Sequence, residues 1–208
     1  MKKAIFTVIT NSYDTLLPAP RYSGWDSILF TDVRPIDAKG WEVRKLPKSK
    51  YPYLQSRLYK IKSHEYLSEY DLVCYLDGNQ KLISAPPEEP IWFIHPRRKD
   101  IYQEAKQLIK NGRFSAEDVN AYIEYARRLG YQDSGLFLNG FFVRRHCPDI
   151  NHLHDYWYKE TRKTIPRDQL TLPVAIWRTA IWPENISYPN IKEQLCIIKN
   201  LHQSQYTI

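Results

Sequence analysis

The chain has 208 residues with a hydrophobic fraction of 43%, which is enough for one domain with a full core. Its 30 lysines and arginines outnumber its 23 aspartates and glutamates, and the net charge of +7 favours a polyanionic partner: a nucleotide diphosphate, a nucleic acid or an anionic membrane surface. No stretch approaches the roughly 20 apolar residues of a membrane-spanning helix, which argues against an integral membrane protein. We expect residues 1–208 to form a single domain, either a whole protein or a domain cut from a longer one.

The cysteines indicate a reducing compartment. Cys74, Cys147 and Cys196 are odd in number and widely spaced, so a disulfide framework is not expected and they are interpreted as free thiols. The N-terminal stretch has a short apolar run but no small-residue cleavage site, and it is better explained as a first strand than as a signal peptide. These features predict a cytoplasmic protein.

The first half of the chain alternates β-branched and aromatic runs with polar turns. The runs predict strands at residues 5–9, 27–31, 41–46, 72–76 and 92–95. Between the third and fourth strands, residues 54–67 predict a helix that is opened by Pro52. One face of this helix is apolar, and the neighbouring face carries Arg57, Lys60 and His64.

The second half is richer in helical patterns. Helices are predicted at residues 100–110, 115–129, 149–162 and 167–178. Residues 135–144 have a strand pattern around Asn139-Gly140, a common hairpin signal, and the tail from Pro183 onward shows no pattern. Alternating strands and helices predict an α/β fold with a central, mostly parallel (mixed) sheet flanked by helices.

The predicted strand at residues 72–76 runs directly into Asp77-Gly78-Asn79. Ligands in open α/β sheets bind at the carboxyl ends of strands, and oxygen donors at such an end can hold a divalent cation against a diphosphate. The same three residues are also favoured in an ordinary turn. Asp77 and Asn79 are therefore candidate metal ligands, with a simple turn as the alternative.

Several short motifs occur in consistent order along the chain. They are Arg57-x-x-Lys60-x-x-x-His64, Tyr75-Leu76-Asp77-Gly78, His95-Pro96-x-Arg98 leading to Ile101-Tyr102-Gln103-Glu104-Ala105, Gly140-Phe141-Phe142-Val143-Arg144-x-His146, Trp157-x-x-Glu160 and Arg167-Asp168-Gln169-Leu170. In these motifs the chain resembles the glycosyltransferase-like domain family, formerly a domain of unknown function, found in plant mucilage-related and bacterial polysaccharide proteins. The resemblance implies a GT-A-like fold and transfer of a sugar from a nucleotide diphosphate, a UDP-sugar, to a carbohydrate hydroxyl.

The resemblance also implies roles for particular residues. Asp77 would ligate a manganese or magnesium ion (Mn²⁺ or Mg²⁺), although the usual second aspartate is replaced by the neutral Asn79. Asp168 is the predicted catalytic carboxylate, and Asp133 is a second candidate without a motif match. The predicted donor-binding residues are Thr10, Asn11, Tyr13, Asp32, Arg57, Lys60, His64, Gly78, His95, Arg98 and Gln169.

Less specific interpretations remain for most of these residues. Arg57, Lys60 and His64 also fit the solvated face of an amphipathic helix, and Asp168 also fits a simple partner for a helix dipole. A basic nucleic-acid-binding module is the main alternative function, favoured by the net charge and the Arg97-Arg98-Lys99 run. A metal-dependent hydrolase using Asp77 and His95 is another, but no compact multi-histidine or multi-carboxylate set supports it.

Overall fold

The computed structural model describes residues 1–163 and 165–187 and the backbone of residues 196–198. The described strands are β1 (Lys3–Ile9), β2 (Trp25–Thr31), β3 (Glu42–Lys45), β4 (Leu72–Leu76), β5 (Gln80–Leu82), β6 (Ile91–Ile94), β7 (Phe137–Arg145), β8 (Ile186–Ser187) and β9 (Cys196–Ile198). The described helices are α1 (Pro52–Ile61), α2 (Ser63–Tyr66), α3 (Ile101–Lys110), α4 (Ala116–Arg128), α5 (Pro148–Thr161) and α6 (Asp168–Thr179).

Seven of these strands form one central sheet in the order β3-β2-β1-β4-β7-β6-β8. Strands β3, β2, β1 and β4 are parallel, β7 is antiparallel to both β4 and β6, and β8 is parallel to β6. The predicted α/β class, with a mixed sheet in a GT-A-like arrangement, is confirmed. The parallel pairing of β1 with β4 brings their carboxyl ends together at one edge of the sheet.

The central strands of the sheet are buried on both faces, which explains why they are nearly continuous apolar runs. Successive side chains of a strand point to opposite faces, so Ile5 and Phe6 enter different core clusters, as do Phe141 and Phe142. On one face Trp92 stacks on Phe142 with ring centroids 4.2 Å apart. Core clusters therefore pack on both faces of the central strands and position the edge where β1 and β4 end.

The helix predicted at residues 54–67 is interrupted, which corrects that prediction. Helix α1 ends at Ile61, and α2 is a separate single turn. The Ile61 carbonyl accepts hydrogen bonds from Arg144 Nη2 at 2.9 Å and His154 Nδ1 at 2.8 Å. Glu65 N donates instead to the Lys62 carbonyl at 2.9 Å, so the regular helical pattern stops there.

The hairpin prediction at Asn139-Gly140 is wrong. Both residues lie inside β7, which pairs with β4 on one side and β6 on the other. The β6–β7 register shifts between Ile91 and Phe93, so the Asn-Gly signal coincides with an irregular pairing instead of a chain reversal. The tail beyond Pro183 also contains β8 and β9, which have only two and three residues and are too short to give a pattern.

None of the helices in the described part of the chain is both long enough and apolar enough to cross a bilayer.

Candidate functional site

A cavity of about 310 Å³ opens at the carboxyl ends of β1 and β4. Its wall combines the turn after β1, the start of α1, the turn after β4, the middle of β7 and the start of α6. This edge is the usual position of ligand sites in open α/β sheets. The turn at Asp77-Gly78-Asn79, where the sequence predicted a site, therefore lies in the wall of a cavity.

The lining is strongly charged. The basic side chains among the described lining residues are Arg57, Lys60, Arg113 and Arg167, and the acidic ones are Asp14, Asp77 and Asp168. Four of these side chains, Arg57, Lys60, Arg167 and Asp168, are largely buried. Opposite charges concentrated at low exposure produce strong local fields, which is typical of a site that binds a charged ligand.

Asp168, the first residue of α6, is buried among cations. Its side chain lies 2.6 Å from Lys60 Nζ through Oδ2 and 3.6 Å from Arg57 Nε through Oδ1. Burial alone would raise the pKa of Asp168, but Arg57, Lys60 and Arg167 together hold it well below its usual range. Asp168 is therefore a permanently ionised carboxylate and a weak base, suited to fixing the two cations.

Lys60 connects Asp168 to the end of β4. Its side chain is only 2% exposed, and its ammonium also lies 3.7 Å from Asp77 Oδ1 and 4.5 Å from the centre of the Tyr75 ring. The Tyr75 hydroxyl donates to the same Asp77 oxygen at 2.8 Å. Burial, and then the charge of Asp77, raise the pKa of Tyr75 well above its ordinary value, so this hydroxyl stays a donor.

Tyr53 lies beside Arg57 in the cavity wall, and no sequence pattern predicted it. Its hydroxyl accepts a hydrogen bond from Arg57 Nη2 at 2.8 Å, and the guanidinium lies 4.3 Å from its ring centre. Burial works to raise the pKa of Tyr53, but Arg57 and Arg167 outweigh it and lower the pKa. The hydroxyl therefore faces a positively charged part of the cavity.

Arg167 is held by Glu104, a carboxylate of α3 that is 1% exposed. Glu104 Oε1 accepts from Arg167 Nε at 3.0 Å and Nη2 at 2.8 Å, and Arg167 also donates to Gln169. The other Glu104 oxygen lies 2.5 Å from Arg98 Nε. Arg98 therefore lies outside the cavity wall, where it shares Glu104 with Arg167. It was predicted to bind the donor, but it does not line the cavity.

The turn after β1 is held in an uncommon conformation. Asn11 and Ser12 have φ angles of 53° and 52°, and the Asn11 backbone N–H donates to Asp32 Oδ1 at 2.8 Å. Thr10 Oγ1 donates to the Pro52 carbonyl at 2.8 Å. Asp32 therefore supports the turn from behind and does not line the cavity.

Three other predicted residues also lie outside the lining. His64 Nε2 pairs with Asp155 at 2.9 Å, because the break after α1 turns it away from Arg57 and Lys60. His95 Nδ1 accepts from the backbone of Arg98 at 3.0 Å. Asp133 accepts from the Gly135 backbone at 3.0 Å within its own loop. A hydrolase site combining Asp77 with His95 is thus not assembled.

The remaining predictions converge on the cavity. The predicted residues that line it are Thr10, Asn11, Tyr13, Arg57, Lys60, Asp77, Gly78, Asn79, Asp168 and Gln169. Lining residues that the predictions missed are Val8, Asp14, Pro52, Tyr53, Ser56, Tyr75, Gln80, Arg113, Leu138, Asn139, Gly140 and Arg167. Tyr75 and Arg167 stood inside quoted motifs, whereas Arg113 follows α3 in a loop without any signal.

The lining does not fit a tightly bound divalent cation. Asp77 Oδ1 is already engaged by Tyr75 and Lys60, and Asn79 offers only a neutral oxygen. Within the described residues, one group of three metal-ligand side chains lies close enough for a shared ion, namely His64, Glu65 and Asp155 outside the cavity. There the Lys62 ammonium already contacts both carboxylates. Mn²⁺ or Mg²⁺ at Asp77 and Asn79 stays a prediction.

Fold and cavity together define an α/β protein with a charged ligand site at the carboxyl edge of a mixed sheet. The family model described as TOD1/MUCI70, glycosyltransferase-like domain, matches residues 91–203, more than half of the chain, and the chain belongs to that family. The resemblance expected from the motifs is confirmed. No curated protein matches the chain.

Proposed function

We propose that this protein is a glycosyltransferase that moves a sugar from a UDP-sugar to a hydroxyl of a carbohydrate acceptor. The observation that carries the proposal is the cavity at the ends of β1 and β4, lined by four basic side chains in a member of a glycosyltransferase-like family. A nucleotide diphosphate is the polyanion that such a lining suits.

In the proposed mechanism, the basic side chains stabilise the diphosphate as it leaves the sugar. Lys60 and Arg57 are fixed by Asp168, and Arg167 is fixed by Glu104. Donors held in advance by buried partners need little reorganisation when negative charge develops, and such electrostatic stabilisation is usually the largest catalytic contribution. We assign Asp168 to positioning these cations, since its lowered pKa makes it a poor proton acceptor.

The turn after β1 is the proposed nucleoside site. Thr10, Asn11 and Tyr13 lie at the carboxyl end of β1, and Tyr13 places a half-exposed aromatic ring at the cavity. Aromatic faces stack on bases, and the turn is fixed from behind by Asp32. This arrangement supports a flat base at the rim with its diphosphate directed toward Lys60.

The test is release of UDP from a panel of UDP-sugars, with and without oligosaccharide acceptors. We expect Lys60→Met to lower the rate of UDP release by about 100-fold or more, because it removes a preorganised positive charge that stabilises the leaving diphosphate. Lys62→Met is the matched control: this lysine is two residues away and pairs with Glu65 and Asp155 outside the cavity, so the rate should not change. No UDP release from any donor, together with salt-sensitive binding of an oligonucleotide, would favour the nucleic-acid module instead.

Gly140 lets β7 approach the end of β4, and adding a methyl group there should disturb the site. A Cβ at residue 140 would lie 2.7 Å from Asp77 Oδ2 and 2.7 Å from Gln80 Nε2. Gly140→Ala is expected to destabilise the fold by about 1–3 kcal/mol and to weaken UDP binding by about 10-fold. Urea unfolding and calorimetric titration measure the two effects.

The control for Gly140→Ala is Gly130→Ala. Gly130 has a φ of +75° and nothing within 4 Å of the added methyl group. The strain of a positive φ should cost about 1 kcal/mol of stability, while UDP affinity stays unchanged. Equal affinity of the Gly140→Ala variant and the wild type would show that Asp77 and Gln80 do not contribute to donor binding.

A further inference from the structure

The charge that neutralises the donor diphosphate has a definite source in the cavity. Resting on the proposed function, we infer that Lys60 takes the place of the divalent cation, so that the protein binds its nucleotide diphosphate without a metal ion.

Lys60 already occupies a cation position. Its ammonium lies between the carboxylates of Asp168, at 2.6 Å, and Asp77, at 3.7 Å, and the side chain is 2% exposed. A lysine buried between two carboxylates keeps its position because moving it would take a counter-ion away from both negative charges. A divalent ion bound on the same side of Asp77 would meet this ammonium at close range and be repelled.

The oxygen donors around Asp77 are also poorly suited to binding a divalent cation. One Asp77 oxygen accepts the Tyr75 hydroxyl at 2.8 Å, and the ring of this tyrosine lies under the Lys60 ammonium at 4.5 Å. The residue two positions later is Asn79, whose amide carries no charge. Hard divalent cations depend on several charged oxygens. Here Asp77 is shared with an ammonium ion and Asn79 is neutral, and among the described residues neither Asp14 nor Asp77 belongs to a group of three ligand side chains close enough to share an ion.

The other cations of the lining suit a diphosphate. Arg57 and Arg167 are each held by a buried carboxylate and offer planar, forked donors that match phosphate oxygens. Arg113, from the loop after α3, lies 3.4 Å from the Tyr13 hydroxyl, on the side of the cavity where the nucleoside is proposed to bind. Arg57 and Arg167 therefore share the lining with Lys60 and can supply further positive charge to a diphosphate bound there.

The test is calorimetric titration of the full chain with UDP, once in EDTA and once in Mn²⁺ or Mg²⁺. We expect dissociation constants within about threefold of each other in wild type, and a loss of about 30-fold in Lys60→Met with or without metal. In Asp77→Asn the dissociation constants in EDTA and in metal should also stay within about threefold of each other, because neither depends on a metal ion at this residue. Lys62→Met should bind as wild type does.

The outcomes separate the two proposals. Binding that needs the metal in wild type and disappears in Asp77→Asn would overturn the inference while leaving the proposed function standing. No binding of UDP by wild type in either buffer would overturn the proposed donor and the inference with it. The wild-type comparison needs no substitution, so a variant that fails to fold does not affect it.

Discussion

Asp168→Asn should lower the free energy of unfolding by about 3–5 kcal/mol, because removing one member of a buried ion pair leaves the other charges uncompensated. The charges concerned are those of Lys60 and Arg57, whose nitrogens lie 2.6 Å and 3.6 Å from the carboxylate. An asparagine keeps the shape and one acceptor, so the loss reports the charge itself. Urea unfolding at neutral pH measures it.

A surface aspartate provides the comparison. Asp155 pairs with His64 and Lys62, but its side chain is 50% exposed. Asp155→Asn should therefore cost no more than about 1 kcal/mol. If Asp168→Asn proved no more harmful than Asp155→Asn, Asp168 could not be the residue that fixes the two cations, and its positioning role would be withdrawn.

The second large effect is loss of stability in mild acid. Burial, followed by the charges of nearby arginines, lowers the pKa of His95 to about 4 and that of His146 to about 3, and it lowers the pKa of His154 well below the ordinary value. In the unfolded chain these groups titrate near 6.5. As the pH falls, the unfolded chain therefore binds protons before the folded protein does. The contribution of these histidines to the free energy of unfolding is fully present above about pH 6.5 and is lost as the pH falls toward their folded pKa values. Each of these histidines should lower the free energy of unfolding by about 2 kcal/mol at pH 5.

Helix α5 supplies a matched pair of variants for this effect. His154 is fully buried, donates to the Ile61 carbonyl and faces the guanidinium of Arg144, whereas His152 is exposed on the same helix. Unfolding free energies at pH 7.5, 6 and 5 should fall less steeply in His154→Gln, which cannot be protonated. His152→Gln should keep the wild-type slope. Identical slopes in all three proteins would mean that His154 does not take part in acid unfolding.

The sequence predicted the centre of the site for local reasons. A fully apolar run that ends in Asp77-Gly78-Asn79 marks a buried strand and its tip, and Arg57 and Lys60 share a helix face through their spacing alone. His64 was placed on that face by the same rule. It was misplaced because Arg144 and His154 take the Ile61 carbonyl, and these residues lie more than 80 positions further along the chain.

The acidic partners of the cations could not be predicted in the same way. Glu104 occupies an ordinary position in the first turn of α3, yet it is buried and holds both Arg167 and Arg98. One arginine thereby faces the cavity and the other does not, although both stood in motifs. Which charge faces a ligand depends on how α3 packs against α6, and local sequence patterns do not contain that information.

The position of β7 in the sheet has a consequence for synthesis on the ribosome. Strand β4 is buried along its whole length, but the partner on its second edge is β7, which begins about 60 residues after β4 ends. At about 5–20 residues per second, the ribosome needs several seconds to supply that partner. During this interval the unpaired backbone groups along that edge of β4 are open to pairing with other chains. The nascent chain, more than the finished protein, is therefore the species that chaperones must protect from aggregation.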